Sequence, residues 1–322
     1  MLHLLNKIQK NLTIAIPVFM ILGFIFGLLF TPLFLKKLIV PFTFMMVYPM
    51  MVNLQFRKLL LKGNTSLQLM TQVINFGIIP FIALFLGKIF FPNNPLFALG
   101  LLLTALLPTS GMTISWTGFA KGNITAAIKM TIFGLIIGSL ATPFYANWLM
   151  GTVVTIPMVN TFKQIAIVIF LPMIAGALTQ HLIIAKYGMS RYQNGIKQLF
   201  PPFSTIGILG IVFVAMALKS KALVSQPLLL LSLLLPIILL YIINFSLSTL
   251  VGKYFFKRDD GIALVYGTVM RNLSIALAIA MTVFGDKGSD IALIIALAYI
   301  IQVQSAAWYV KFTNKIFGAP SS

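Results

Sequence analysis

Two polar side chains, Arg271 and Asn272, stand near the middle of an otherwise apolar stretch that runs from residue 261 to residue 277. A cation at the centre of a bilayer costs at least ~2.5–3.5 kcal/mol, so such a residue usually faces a bundle interior or a watery cavity. Gly261 and Gly267 would let a helix loosen here without leaving its backbone polar groups unpaired. The stretch therefore predicts that Arg271 lies at a transport site.

A second polar interruption falls in the apolar stretch 95–118, where Pro108, Thr109, Ser110 and Gly111 follow one another. Paired Gly- or Pro-interrupted spans in matching positions of two halves are the best sequence pointer to a transporter's binding site. The alternative is ordinary hydrogen bonding between helices, worth about 0.6 kcal/mol per bond. We expect the substrate to be bound by Arg271, Asn272, Asn75, Thr109, Ser110, Thr113 and Ser274. We expect the helix breaks at Pro108, Gly111 and Gly267.

The composition is typical of a polytopic membrane protein. Of the 322 residues, 60% are hydrophobic and only 8% are charged, and the mean hydropathy is +1.03. A folded soluble surface needs far more charge. The net charge of +19 does not indicate nucleic-acid binding, because the basic residues fall between apolar runs, where a membrane surface accounts for them. We therefore expect an all-α membrane protein.

Few residues could carry catalysis or hold a metal. The chain has no cysteine and no glutamate, and its four aspartates lie at the ends of predicted spans: Asp259, Asp260, Asp286 and Asp290. Disulfides, thiolate metal sites and cysteine nucleophiles are thereby excluded. Mechanisms that need a carboxylate buried in the membrane are excluded as well, because the predicted spans contain no acidic residue in their interiors. We expect no enzyme activity, no metal and no cofactor.

Helices that cross a hydrocarbon core of ~30 Å need about 20 apolar residues. By this criterion we predict ten spans in a single transporter domain of residues 1–322. The spans lie at about 11–31, 38–54, 67–90, 95–118, 124–149, 162–184, 201–218, 226–250, 261–284 and 290–311. The ten spans divide into two sets of five, with repeat one at about 11–149 and repeat two at about 162–311. Because each set crosses the membrane an odd number of times, the second repeat must be inverted relative to the first.

Basic residues set the predicted orientation. With both termini inside, the inner side holds 15 of the 23 Lys and Arg residues, and the outer side holds 7. Cytoplasmic loops carry an excess of Lys and Arg. We therefore expect a multi-pass protein of the cytoplasmic membrane with both termini in the cytoplasm. Among the inner residues are Lys7, Lys10, Arg57, Lys58 and Lys62.

Four motifs follow one another along nearly the whole chain. They are Met46-Val47-Tyr48-Pro49, Asn75-Phe76-Gly77-Ile78-Ile79-Pro80, Trp116 with Ala120-Lys121-Gly122-Asn123, and Met270-Arg271-Asn272-Leu273-Ser274-Ile275-Ala276. In order and spacing the chain resembles the bile acid:sodium symporter and arsenite permease superfamily, most of all its arsenite permease branch. The resemblance implies ten helices in two inverted repeats and transport by alternating access. It also implies a core domain with crossing, broken helices four and nine, and a panel domain of spans one, two, six and seven.

The chain departs from the family pattern at the positions that carry its chemistry. Thr109 stands where arsenite permeases have a cysteine, and Ser274 stands where they have a glutamate. A hydroxyl cannot form the strong sulfur–arsenic bond. The sodium ligands of the symporters match Ile114, Thr113, Gly267 and Arg271. A site that has lost its carboxylate and gained a guanidinium should not bind Na⁺.

These residues favour a secondary carrier that moves a small anionic solute independently of sodium, with Arg271 as a fixed counter-charge. Three alternatives stay open: an arsenite or metalloid efflux permease without thiol chemistry, a sodium-coupled symporter of bile-acid-type organic anions, and a channel or non-transporting membrane scaffold. A structural role also stays open, in which Arg271 replaces sodium and stabilises helix C-termini. The expected partners are a small anion or metalloid and the lipid bilayer, without nucleic acid.

Overall fold

The chain is helical through most of the part that the computed structural model describes, which is residue 8 and residues 11–54, 64–225 and 228–319, and this part contains no regular β-strand. The first helices are α1 (Leu12–Leu29), α2 (Ile39–Val52), α3 (Thr65–Gln72), α4 (Ile79–Phe90), α5 (Pro95–Leu106), α6 (Gly111–Phe119) and α7 (Ile124–Met150). They are followed by α8 (Met158–Ile165), α9 (Leu171–Tyr187), α10 (Met189–Asn194), α11 (Phe200–Ser225), α12 (Leu229–Phe255), α13 (Arg258–Val269), α14 (Leu273–Val283) and α15 (Gly288–Phe317). π-Helical turns join α3 to α4 and α8 to α9, at Val73–Ile78 and Ala166–Phe170.

Many of these helices have the length and composition of membrane spans. Within the described residues, seven helical stretches are long and apolar enough to cross a membrane: Pro32–Val52, Thr65–Phe90, Ile124–Met150, Met158–Tyr187, Met189–Lys221, Leu229–Phe255 and Gly285–Phe317. Shorter apolar helices occupy Ile14–Leu29, Pro95–Leu106 and Leu273–Val283. The prediction of an all-α, multi-pass membrane protein is confirmed.

Some of the predicted features fall on residues that the structure does not describe. The start of the eighth predicted span, at residues 226 and 227, lies outside the described residues. So do five basic residues that entered the predicted orientation, namely Lys7, Lys10, Arg57, Lys58 and Lys62. The orientation therefore stays a prediction.

The chain forms two compact units, each assembled from separate segments. The first contains residues 1–54, 157–230 and 274–296. In it α11 packs against α1 and α2. The backbones approach closely because glycines face the contact, and a Cβ added at Gly207 of α11 would lie 2.7 Å from the Met46 Cα of α2. Small residues at helix contacts are typical of membrane proteins, in which van der Waals packing drives association.

The second unit contains residues 55–156, 231–273 and 297–322. Its helix α7 contacts α3, α5, α6 and α13. Gly134 and Gly138 lie one turn apart on α7 and admit the loop between α5 and α6, so that a Cβ at Gly138 would lie 2.9 Å from the Pro108 Cδ. This spacing is the small-xxx-small pattern that lets membrane helices approach closely.

Both predicted interruptions are breaks between helices. The first lies between α5 and α6, at residues 107–110, and the second lies between α13 and α14, at residues 270–272. Pro108 explains the first break, since a proline disfavours helical conformation in the residue before it. The second break falls within the predicted interruption at residues 267–272, but Gly267 itself lies inside α13, which continues to Val269.

The π-helical turn between α3 and α4 has a local cause. Pro80 has no N–H, and so the Phe76 carbonyl four residues earlier loses its helical donor. The Tyr145 hydroxyl of α7 donates to this carbonyl instead, at 2.9 Å. The turn contains Asn75, one of the predicted site residues.

Candidate substrate site

The two helix breaks of the second unit pair with each other through their backbones. The Thr109 N–H donates to the Met270 carbonyl at 2.8 Å, and the Asn272 N–H donates to the Leu107 carbonyl at 2.7 Å. Backbone groups freed by a helix break must find partners where water is scarce, and here each break supplies partners to the other. The resulting short antiparallel bridge holds Arg271 at the point where the breaks meet.

Thr109 anchors the first break to α7. Its φ of +62° is uncommon for a β-branched residue, and this conformation costs on the order of 1–2 kcal/mol. Its buried hydroxyl lies 2.7, 3.3 and 3.2 Å from the carbonyl oxygens of Pro108, Met130 and Thr131. The single hydroxyl proton is therefore directed to the backbone and supports the strained turn.

Ser110 and Thr113 form the start of α6. The Ser110 Oγ accepts from the Met112 N–H at 3.2 Å, and the Thr113 Oγ1 accepts from the Ser110 N–H at 3.1 Å. This reciprocal capping box satisfies donors that a helix N-terminus leaves free. Both residues are buried. They define the break directly, whether or not they also touch a substrate.

Gln302 of α15 completes the backbone pairing of Arg271. The Arg271 N–H donates to the Gln302 Oε1 at 2.7 Å, and the Gln302 Nε2 donates to the Arg271 carbonyl at 3.2 Å. The Tyr241 hydroxyl of α12 donates to the same Oε1 at 2.8 Å. The Gln302 side-chain amide thus hydrogen-bonds both backbone groups of Arg271, as a neighbouring strand would. The main chain at Arg271 is therefore fixed by Gln302 on one side and by the first helix break on the other.

The Arg271 side chain is buried without an acidic partner. Arg271 is 3% exposed. Its Nη1 donates to the Ala105 carbonyl in the last turn of α5 at 3.1 Å. Its Nη2 is buried and has no hydrogen-bond partner in the described part of the chain. A buried charge that lacks a partner is among the costliest groups in a protein.

All four acidic side chains have partners away from Arg271. Asp286 pairs with Lys36, and Asp290 pairs with Lys219 at 2.6 Å. In the second unit Asp259 pairs with Arg258 at 2.8 Å, and Asp260 accepts from the Asn123 amide at 2.7 Å. Within the part of the chain that the structure describes, no acidic side chain therefore pairs with the buried guanidinium.

A narrow gap in the second unit borders the guanidinium. It is lined by Ile79, Thr104, Leu240, Tyr241, Asn244 and Arg271. The lining is mixed, with aliphatic side chains from α4 and α12 beside polar ones. The gap is too tight for a water molecule in this conformation. Binding of a solute here requires the surrounding helices to move apart.

Two side-chain amides bind the carbonyl end of α13. The Asn75 Nδ2 donates to the Gly267 carbonyl at 3.0 Å, and the Asn244 Nδ2 donates to the Thr268 carbonyl at 3.0 Å. The last carbonyls of a helix have no intrahelical donors, so these amides replace the donors that the break removed. The Asn75 Oδ1 is buried with no partner among the described residues.

The predicted site residues are thus brought together in part. Asn272 is buried beside Arg271, and Gly111 is the first residue of α6. Ser274 is buried on α14, in the first unit. The two breaks and Asn75 belong to the second unit.

The sequence prediction missed several residues that contact Arg271 or its surroundings. Tyr241, Asn244 and Gln302 are polar residues in predicted spans, and this polarity was the available signal. The Ala105 carbonyl carries no signal in the sequence, because every residue has one. Within the described residues, no three His, Cys, Asp or Glu side chains form a group that could hold a metal. That the protein uses no metal and no cofactor stays a prediction.

Comparison with known proteins shows one family. The model of the Sodium Bile acid symporter family matches residues 40–226, more than half of the chain. The Arsenical-resistance protein Acr3 of Alkaliphilus metalliredigens is 24% identical, over 84% of this chain and 79% of its own length. Acr3 of Corynebacterium glutamicum is 21% identical, over 76% and 70%. An uncharacterized transporter of Synechocystis, slr0944, is 22% identical, over 97% and 89%.

Proposed function

The chain is a multi-pass membrane transporter that belongs to the sodium bile acid symporter family, and we propose that it moves a small anionic solute across the cytoplasmic membrane by alternating access. Membership in a transporter family agrees with the prediction that the chain is not an enzyme. It also favours a carrier over a channel or a non-transporting scaffold.

One observation carries the proposal: among the described residues, the buried Arg271 guanidinium has no acceptor for its Nη2 and no acidic partner. Guanidinium groups bind carboxylates and other oxyanions through strong, charge-assisted hydrogen bonds. An anion that entered the gap beside Arg271 would supply both the missing hydrogen-bond acceptor and the missing charge. Arg271 is the fixed counter-charge of the solute in this proposal.

Transport is independent of sodium in this proposal. The guanidinium supplies one positive charge at positions that hold sodium in the symporters that the chain resembles. Two like charges at about 4 Å repel by about 4 kcal/mol at an effective dielectric constant of 20. A sodium ion would therefore be excluded while Arg271 remains in place.

The proposed architecture is ten membrane helices in two inverted repeats, with both termini in the cytoplasm. Three features support it. Helix breaks occur in the fourth and ninth predicted spans, and the two breaks pair with each other. The first unit also gathers the first, second, sixth and seventh predicted spans, which the family resemblance assigns to a panel domain.

Uptake into proteoliposomes tests the proposal. Labelled acetate, pyruvate, succinate and arsenite are offered in buffers that contain Na⁺, K⁺ or choline. We expect saturable uptake of at least one carboxylate that is equal in the three buffers. The variant Arg271→Gln should lose it, while Arg191→Gln, at an exposed arginine, should keep it. Uptake that collapses without Na⁺ would instead support the sodium-coupled symporter of organic anions.

A metalloid efflux permease is the second candidate function, because two relatives are named arsenical-resistance proteins. In this chain Thr109 directs its hydroxyl to backbone carbonyls, and no thiol is present. A neutral or oxyanionic metalloid would have to be held by hydroxyl, amide and guanidinium contacts. Arsenite uptake in the same vesicles without carboxylate uptake would favour this candidate.

A structural role for Arg271 makes a different prediction. The contact from Nη1 to the Ala105 carbonyl places a positive charge at the C-terminal end of α5, which the helix dipole favours. If this were the whole role, Arg271→Gln would lower the melting temperature of the purified protein, and a variant that stays folded would still transport.

A further inference from the structure

Helix α3 and the π-helical turn after it carry a row of buried amides with unpaired atoms. The Gln68 Oε1, both amide atoms of Gln72 and the Asn75 Oδ1 are buried and have no hydrogen-bond partner among the described residues. Gln68 is 9% exposed and Asn75 is fully buried. Residues separated by four and seven positions lie on one face of a helix, so the three side chains form a continuous polar row.

A different side of α3 and its π-helical turn carries exposed apolar residues. Leu69 is 63% exposed and Val73 is 55% exposed, and in a membrane protein such residues face lipid. Lipid cannot pair with an amide, and an unpaired buried amide costs about 1–3 kcal/mol. Three such residues on one inward face are therefore expected to meet water or a polar solute during the working cycle.

The row ends at the candidate substrate site. Asn75 donates through its Nδ2 to the Gly267 carbonyl of α13 at 3.0 Å, in the turn that precedes the second helix break. Ile79 lies four residues beyond Asn75 and lines the gap beside Arg271. The face that begins at Gln68 thus continues to the guanidinium.

From this arrangement we infer that the Gln68–Gln72–Asn75 row is the hydrated route by which the solute reaches Arg271. The inference rests on the proposed function for the nature of the solute, an anion. The Gln68 Nε2 and the Asn75 Nδ2 already donate to the carbonyls of Ala126 and Gly267, so Gln72 is the member of the row that offers a free donor to a passing anion. The free carbonyl oxygens of the row accept from water, and this water keeps the anion solvated without binding it. Arg271 then supplies the charge at the end of the route.

Cysteine accessibility tests the route, since the chain has no native cysteine. The single variants Gln68→Cys and Gln72→Cys are compared with Leu69→Cys and Val73→Cys on the lipid-facing side of the same turns. Full-length protein in sealed vesicles of both orientations is treated with anionic 2-sulfonatoethyl methanethiosulfonate. Because the thiolate is the reactive form and needs water, we expect the two glutamine positions to react at least about tenfold faster in one orientation.

A second arm removes the charge. In Gln72→Cys with Arg271→Gln, the anionic reagent should lose its advantage over the cationic 2-trimethylammonioethyl reagent. The route would be overturned if all four positions labelled equally, or if the leucine and valine positions alone were labelled. A glutamine variant that no longer elutes as a single folded species is replaced by Asn75→Cys. Labelling is read without transport. If the glutamine positions label fast but the unsubstituted protein takes up none of the offered anions, the proposed function is refuted and the route stands.

Discussion

Arg271 has two terminal nitrogens in different surroundings. Nη1 donates to the Ala105 carbonyl, whereas Nη2 is buried without a partner among the described residues. One nitrogen therefore positions the side chain, and the other is left for a ligand. This division explains how a guanidinium can be both a helix-end contact and a binding group, because its donors point in fixed, separate directions.

Lysine should not replace arginine here. An ammonium keeps the charge but is a single point of donation on a flexible stem, and it cannot hold the Ala105 carbonyl and an anion in the same geometry. For Arg271→Lys we expect the KM for the transported anion to rise about 10- to 100-fold. This factor corresponds to the loss of one charge-assisted hydrogen bond, which is worth about 1.5–3 kcal/mol.

The measurement is concentration-dependent uptake into proteoliposomes with equal amounts of protein. The control is Lys311→Arg, because Lys311 is exposed, whereas a residue such as Lys129 is buried. An unchanged KM in Arg271→Lys would mean that charge alone suffices at this position.

The helix breaks depend on the helix behind them. α7 presents Gly134 and Gly138 to the loop that contains Pro108 and Thr109, and a Cβ at Gly134 would collide with the Thr109 Oγ1. The strained turn at Thr109 persists because α7 supplies carbonyl acceptors at close range. The glycine pair of α7 and the proline of the loop between α5 and α6 thus together allow the strained turn at Thr109.

We expect Gly134→Ala to displace Thr109 and disturb the pairing of the two breaks. Overpacking a tight contact costs about 1–3 kcal/mol, which should lower the melting temperature of the detergent-purified protein by several degrees and reduce uptake more than tenfold. Gly118→Ala is the matched control, because a Cβ there would meet Ile124 at an ordinary 3.7 Å. A Gly134→Ala protein with wild-type stability and uptake would show that the contact can relax.

The charge balance of the whole chain bears on how the carrier returns. The four aspartates pair with other residues, and the net charge is +19. In the empty carrier Arg271 is a buried charge with no acidic partner among the described residues, whereas an anion-loaded carrier is locally neutral. Removing one partner of a buried ion pair costs about 3–5 kcal/mol. The loaded form should therefore change conformation more readily than the empty form.

This difference predicts exchange. Uptake of a labelled anion should be at least about tenfold faster when the vesicles contain the same anion unlabelled, since each 1.4 kcal/mol in a barrier changes the rate about tenfold. The comparison is made at equal internal ionic strength, with gluconate as the filling anion in the control vesicles. Equal initial rates in the two sets of vesicles would contradict the prediction and leave anion transport itself intact.

Much of the architecture is readable from the amino-acid order. The helical stretches, the interruption around Pro108 and the buried cation at position 271 follow from hydropathy, proline chemistry and the cost of charge in lipid, all of which act locally. The sequence predicts the exact residue of the second break less accurately. Gly267 suggested it, yet α13 continues to Val269, because the Asn75 and Asn244 amides stabilise the helix end.

The partners of Arg271 depend on folding. Ala105 is 166 residues away along the chain and Gln302 is 31 residues away, and no local pattern pairs them. A carbonyl oxygen is the same in every residue, so the sequence cannot mark the one that receives Nη1. The amino-acid order puts a cation inside the protein at a high free-energy cost. The packing of the helices leaves one of its nitrogens without an acceptor among the described residues, because the break positions and α7 fix which groups come within hydrogen-bond distance.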